Sequence, residues 1–295
     1  MKTATLAWIL FIFLGLTWGS SFILMKRTMF PGGDQTTVMS CWQVGSARIF
    51  IASLVLLPFA IRNLRLINKK NFGVLLLVGV AGNFIPAFLF TLAETEIDSS
   101  LAGLLNMSTS IFVTIIGVLI YKVLPSRIQV LGLLCGSFGL YMLLHSNVSM
   151  KEGDVYFALL VICATILYAI SLTTIKFKLE GIPAVAITSL SFLFILPLAL
   201  IACIYFESFE PVFAHPQGMQ SLGYLSILSV VGTALAVLLF TRLIAISSHI
   251  FSSAVAYMLP VVATVFGSLD GEPFPLINIV WAGVIFVGIW LINRK

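Results

Sequence analysis

The residues of this 295-residue chain that could do chemistry are few, and most are uncharged side chains inside apolar runs. Asn83 and Asn106 each lie near the middle of such a run. An asparagine amide has several hydrogen-bonding sites, which a purely apolar environment would leave unpaired at a free-energy cost. Both side chains therefore have to face protein or a polar cavity, and we predict that they bind a small-molecule substrate.

Three aromatic residues with a polar group, Trp18, Tyr168 and Tyr257, occupy similar positions in other apolar runs. Each combines a large apolar ring with one hydrogen-bonding group, which suits an amphipathic ligand. Ordinary packing is the alternative interpretation for all three. The predicted substrate-binding set is thus Trp18, Asn83, Asn106, Tyr168 and Tyr257.

Arg48 is the only charged residue that lies well inside an apolar run. Its guanidinium could hold a substrate carboxylate through two hydrogen bonds. It could equally reach toward lipid headgroups or support a neighbouring helix. Pro86 and Pro260 also lie inside apolar runs and could act as gating kinks or as tolerated bends. We assign these three residues to gating or structural roles.

Motifs for catalysis or cofactor binding are absent from the sequence. There is no phosphate-binding glycine loop and no His-Glu-x-x-His, and the His and Cys residues do not have metal-ligand spacing. We therefore predict no enzymatic activity, no metal and no cofactor. Asp and Glu are absent from the middle of every apolar run, while Glu94, Glu96 and Asp98 follow the end of one. This pattern disfavours proton coupling through a buried acid.

The composition indicates that the chain lies in a lipid bilayer. Apolar residues make up 60% and charged residues 9%, and the mean hydropathy is +1.13. A soluble domain could not hide so much apolar surface from water, which predicts an all-α polytopic membrane protein. The net charge of +5 is then expected from basic cytoplasmic loops and does not indicate nucleic-acid binding.

Ten apolar runs have about the length that a helix needs to cross the hydrocarbon core. Both termini then lie on the same side of the membrane. The predicted spans are Thr5–Lys26, Cys41–Ile61, Phe72–Leu92, Asp98–Tyr121, Ser126–His145, Gly153–Ile175, Ala184–Phe206, Gln220–Arg242, His249–Leu269 and Pro275–Ile292.

Loop charges predict the orientation of these spans. With a cytoplasmic N-terminus, twelve Lys and Arg residues fall in the inner segments and three in the outer ones. Cytoplasmic loops of membrane proteins carry such an excess of basic residues. We therefore expect the N- and C-termini to be cytoplasmic, in the inner or plasma membrane of the cell.

The sequence contains an internal repeat. A shift of 150 positions matches ten residues of the 51-residue stretch 75–125 with identical residues, without a gap. The same shift places Trp18 on Tyr168, Ser21 on Ser171 and Lys26 on Lys176. We predict two five-helix repeats, 1–147 and 148–295. Because five is odd, the second repeat should be inverted in the membrane, as in many secondary transporters.

The Leu-Pro-Val-Val-Ala run at 259–263, the Gly271-Glu272-Pro273 that follows and the Ala47-Arg48 pair resemble the EamA-type drug/metabolite transporter superfamily. The first half departs from it, because Tyr121-Lys122-Val123 stands where Gly-Glu-Pro stands in the second. The resemblance implies export or exchange of small metabolites, often amino acids, without ATP or metal. It also implies a peripheral second span, which favours a structural role for Arg48.

These observations predict a secondary transporter of small neutral or zwitterionic metabolites such as amino acids. Export of apolar drugs or other metabolites is the alternative, and a membrane-embedded lipid-modifying enzyme is a weaker one. A non-transporting scaffold would have no use for an inverted repeat. The expected partners are the substrate and the lipid bilayer. The oligomeric state is open, and a monomer is compatible with the sequence.

Overall fold

The computed structural model describes residues 3–32, 36–97, 99–145, 154–269 and 277–293, and within them every regular element is helical. Fifteen α-helices are numbered here in chain order. Their bounds are α1 Thr3–Met29, α2 Cys41–Asn63, α3 Phe72–Gly79, α4 Ile85–Ala93, α5 Ser99–Asn106, α6 Ser108–Leu119, α7 Arg127–His145, α8 Asp154–Lys178, α9 Ala184–Tyr205, α10 Glu210–Ala214, α11 Gly218–Ser229, α12 Ala236–Ile246, α13 His249–Ser253, α14 Met258–Leu269 and α15 Ile277–Asn293.

The prediction of an all-α membrane protein is confirmed. Among the described residues, seven helical stretches are long and apolar enough to cross a membrane, and two shorter apolar helices cover His249–Val262 and Ile279–Ile292. The count of ten spans stays a prediction. The predicted boundary between the repeats, at 147/148, and the Gly271-Glu272-Pro273 motif lie outside the described residues.

Two of the predicted spans contain a π-helical turn at matching positions. Val80–Phe84 connects α3 to α4, and Val230–Leu235 connects α11 to α12, so the two turns begin 150 residues apart. Pro86 lies in the first turn of α4, where its missing N–H is tolerated. Ala236 takes the corresponding position in the second copy, so proline is not required for the π turn. Such turns change the direction of a helix and are frequent at functional sites.

Two further predicted spans are interrupted. Met107 separates α5 from α6, and the 3₁₀ turn Ala254–Tyr257 separates α13 from α14. Pro260 is the third residue of α14 and is buried. Its position in the first turn of a helix avoids the loss of an internal hydrogen bond, so it does not kink a continuous helix.

The helices pack in pairs that repeat with the same offset. α1 packs against α11, α12 and α14, and α8 packs against the corresponding α3, α4 and α6. α2 packs against α9, and α7 packs against α15. Two long helices, α1 and α8, therefore each contact the π-containing segment of the other half of the chain.

Small residues bring α7 and α15 close together, as the Gly132-x-x-x-Gly136 pattern of the sequence predicts. A Cβ atom added to Gly288 of α15 would lie 2.6 Å from the backbone nitrogen of Gly136 and 2.8 Å from the carbonyl oxygen of Gly132. The backbones of the two helices thus touch at this crossing.

Candidate functional site

A cavity of about 130 Å³ lies between the two halves of the chain. The two π-containing segments, α1, α2, α8 and the segment around the 3₁₀ turn all contribute side chains to its wall. Four of the five predicted substrate-binding residues, Trp18, Asn83, Asn106 and Tyr168, line this one cavity, and Arg48 lines it with them. A concave site with aromatic walls and a few polar groups is typical of small-molecule sites.

The two halves contribute matching aromatic pairs to the cavity. The ring of Trp18 meets Phe240 edge-on, with centroids 4.9 Å apart. The ring of Tyr168 stacks on Phe90 at 5.8 Å. Trp18 matches Tyr168, and Phe90 matches Phe240, under the 150-residue shift. Each pair joins a long helix of one half to the π-containing segment of the other.

A glycine permits close contact at each of these crossings. A Cβ atom on Gly232 would lie 2.9 Å from Oγ of Ser21, and one on Gly82 would collide with Oγ of the matching Ser171. The indole Nε1 of Trp18 donates a hydrogen bond of 3.0 Å to the carbonyl oxygen of Gly232. The crossing of α1 over the second π turn is therefore held by packing and by one polar contact.

The polar groups of the cavity are incompletely paired. The Asn83 side chain is 7% exposed and, among the described residues, its amide has no hydrogen-bond partner. The hydroxyl of Thr109 donates to the backbone carbonyl oxygen of Asn106 at 2.6 Å and to its side-chain Oδ1 at 3.4 Å. Most of the hydrogen-bonding capacity of the two amides is thus available to a ligand or to water.

Arg48 reaches the cavity from α2. Its Nε donates to the hydroxyl of Thr233 at 2.7 Å, and its Nη1 lies 3.6 Å from the sulfur of Met25. Five N–H groups are carried by a guanidinium, so these two contacts leave donors that can bind an anionic group of a ligand. The sequence favoured a structural role for Arg48, and the structure places it on the cavity wall.

Tyr257 lies apart from the other predicted site residues. Its ring is fully buried and packs against Gly136 of α7. Its hydroxyl donates to the carbonyl oxygen of Leu133 and is 3.3 Å from the hydroxyl of Ser137. These contacts anchor the 3₁₀ turn to α7, so the side chain has a packing position and does not line the cavity.

Three buried polar residues, Thr188, Thr241 and Glu94, are not among the predicted site residues. The hydroxyl of Thr188 on α9 donates to that of Thr241 at 2.9 Å, and both residues line the cavity. Glu94 follows the last residue of α4 and is 2% exposed. Its position four residues after Phe90 places both on one face of the helix, and this periodicity was the available signal. Among the described residues no three His, Cys, Asp or Glu side chains could together hold a metal ion.

The Trp18 hydrogen bond gives a testable prediction. Trp18→Phe keeps an aromatic ring but removes the donor to Gly232, which should lower the free energy of unfolding by about 1 kcal/mol. The shift in melting temperature of the purified protein in detergent measures this change. Trp8→Phe is the matched control, because the Trp8 ring makes edge contacts with Phe11 and Phe251. Equal shifts for both variants would contradict a role for the hydrogen bond.

Comparisons with known proteins agree with this architecture. A solved structure, titled only as a crystal structure of a protein, is similar over 97% of this chain and 95% of its own length, with 16% sequence identity and a TM-score of 0.70. This likeness concerns the fold alone. No curated protein matches the chain. The family model described as the EamA-like transporter family matches twice, over residues 5–145 and 156–294. Since the two matches cover nearly the whole chain, this protein belongs to the EamA-like transporter family of the drug/metabolite transporter superfamily.

Proposed function

We propose that this protein is a secondary transporter that moves small neutral or zwitterionic metabolites, such as amino acids, across the cell membrane by alternating access. The observation that carries this proposal is the cavity between the two halves, with its paired aromatic walls. Equivalent crossings in two inverted five-helix repeats supply two equivalent gates around one site. Both termini are cytoplasmic in this proposal, and the protein acts as an exporter or an exchanger.

The chemistry of the wall supports the proposed substrate class. Aromatic rings suit an apolar side chain, the amides of Asn83 and Asn106 suit an ammonium or carboxylate group, and Arg48 suits a carboxylate. A phosphate-bearing substrate would need several cations, and among the described lining residues Arg48 is the one cation. An apolar drug would use the aromatic walls but would leave the amides unpaired.

The test is flux of radiolabelled neutral amino acids in proteoliposomes that contain the purified protein. We expect Asn83→Ala and Asn106→Ala each to reduce flux about fivefold to tenfold, because each removes about 1 kcal/mol or more of hydrogen bonding to the substrate. Asn63→Ala is the matched control, since Asn63 ends α2 and its amide bonds the carbonyl oxygen of Phe59. Flux of apolar drugs alone, insensitive to both cavity variants, would favour the alternative substrate class.

A further inference from the structure

Glu94 is a buried carboxyl group without a partner. It is 2% exposed, and neither of its side-chain oxygens accepts a hydrogen bond from the residues that the structure describes. An ionised carboxylate in such a place costs several kcal/mol, so the group binds a proton instead. Glu94 lies outside the span Phe72–Ala93. Burial raises the pKa of its carboxyl well above the usual range, although the positive charges of Lys26 and Arg48 oppose that rise.

Among the described residues, the charged and titratable groups that act on Glu94 come from three helices. Lys26 of α1 and Arg48 of α2 act on it electrostatically. From α8, Tyr168 interacts with Arg48, and its ring stacks on Phe90, one turn before Glu94. The π turn that packs on α4 contributes no titratable residue. On its own segment, Glu96 is exposed.

The second half of the chain shows what the equivalent lysine does. Lys176 of α8 donates from Nζ to the carbonyl oxygens of Ile244, at 3.0 Å, and Ser247, at 2.6 Å, which lie at the end of α12. The 150-residue shift matches Lys26 with Lys176 and Glu94 with Ile244. Lys26 is exposed and, among the described residues, makes no such bond. We call the contact of this lysine with the end of the neighbouring helix the lysine bridge. The Lys176 bridge is formed, or closed, in this structure, whereas the Lys26 bridge is open.

We propose that Glu94 is a proton-binding site. It releases its proton to water when Lys26 moves into contact with the end of α4, in the way that Lys176 contacts the end of α12 in this structure. This inference rests on the proposed function, because alternating access would form the Lys26 contact at one end of the protein while it breaks the Lys176 contact at the other. The carboxyl O–H bond breaks, and the carboxylate then pairs with the ammonium of Lys26, which keeps its three protons. Ile244 has no acidic group, so the contact of Lys176 with the end of α12 involves no equivalent carboxyl proton.

The sign of the pH dependence follows from the burial of the acid. With the Lys26 bridge open, burial keeps Glu94 neutral, whereas an ion pair with Lys26 in the closed bridge would bring its pKa back toward the ordinary value of 4.5. The open form is therefore fully favoured below that ordinary value. As the pH rises above it, the ratio of the closed to the open form increases by at most about tenfold per pH unit. The increase ends once the pH passes the raised pKa of Glu94 in the open form.

Infrared difference spectra of the purified protein between acid and neutral pH test the proton site without any substrate. We expect a carboxylic-acid C=O band that titrates above the ordinary glutamate range, is lost in Glu94→Gln and is kept in Glu96→Gln. Glu96 is two residues away and exposed, which makes it the matched control. A band that survives in Glu94→Gln, or no such band in the native protein, overturns the proposal.

Hydrogen-exchange mass spectrometry, corrected for intrinsic pH effects, tests the link to the conformational change. Peptides from the ends of α1 and α4 should change protection with pH in the native protein. Glu94→Gln, which mimics the protonated acid, should keep the low-pH pattern at every pH. A native-like pH response in this variant overturns the link. Absence of flux for every substrate would refute the proposed transport function, while both of these measurements would still decide the role of Glu94.

Discussion

Replacing Arg48 with glutamine is expected to reduce the flux of a carboxylate-bearing substrate by about tenfold or more. The guanidinium has donors beyond those used by Thr233 and Met25, and it lines the cavity. Hydrogen bonds to a charged group contribute about 1.5–3 kcal/mol, which corresponds to this loss. Arg48→Lys should retain part of the flux, because lysine keeps the charge but cannot form two parallel bonds with a carboxylate.

A comparison of two substrates separates binding from support of the structure. Flux of a neutral amino acid should fall in Arg48→Gln much more than flux of the corresponding amino-acid amide, which lacks the carboxylate. Arg62→Gln serves as the control, because Arg62 lies exposed in the last turn of the same helix. Equal losses for both substrates would show that Arg48 supports the helices and does not contact the carboxylate.

Replacing Gly288 with alanine should destabilise the protein by about 1–3 kcal/mol, because the added methyl group meets backbone atoms that cannot move aside. The nearest atoms are the backbone nitrogen and Cα of Gly136 and the carbonyl oxygen of Gly132. α7 and α15 would have to separate, and each would lose contacts along its length. We expect a clear drop in melting temperature in detergent.

The same helix provides the control for this substitution. A Cβ atom added to Gly283 meets nothing within 4 Å. Gly283→Ala should leave the stability unchanged or raise it, because alanine favours the helix by about 1 kcal/mol over glycine. If Gly288→Ala and Gly283→Ala had equal melting temperatures, the close crossing of α7 and α15 would be wrong.

Composition and hydropathy patterning are enough to predict the class of protein and the course of its helices. Apolar length and composition report directly on burial in lipid, so most predicted spans begin and end within a few residues of the observed helices. The glycines that match under the 150-residue shift mark the crossings at Ser21 and Ser171. Asn83 and Asn106 were predictable as cavity residues because an amide cannot face lipid unpaired.

Which side chains meet depends on the packing of the folded chain. Tyr257 and Tyr168 are alike in sequence context, yet one packs on α7 and the other lines the cavity, because the rotation of each helix about its axis depends on its neighbours. The position of Arg48 on the cavity wall depends on its contact with Thr233, which is 185 positions away in the sequence. Glu94 shares a helix face with Phe90 by its spacing in the sequence, but that spacing does not show that the carboxyl group is buried. The burial that makes it a candidate proton site comes from the packing of α4 against α2 and α8.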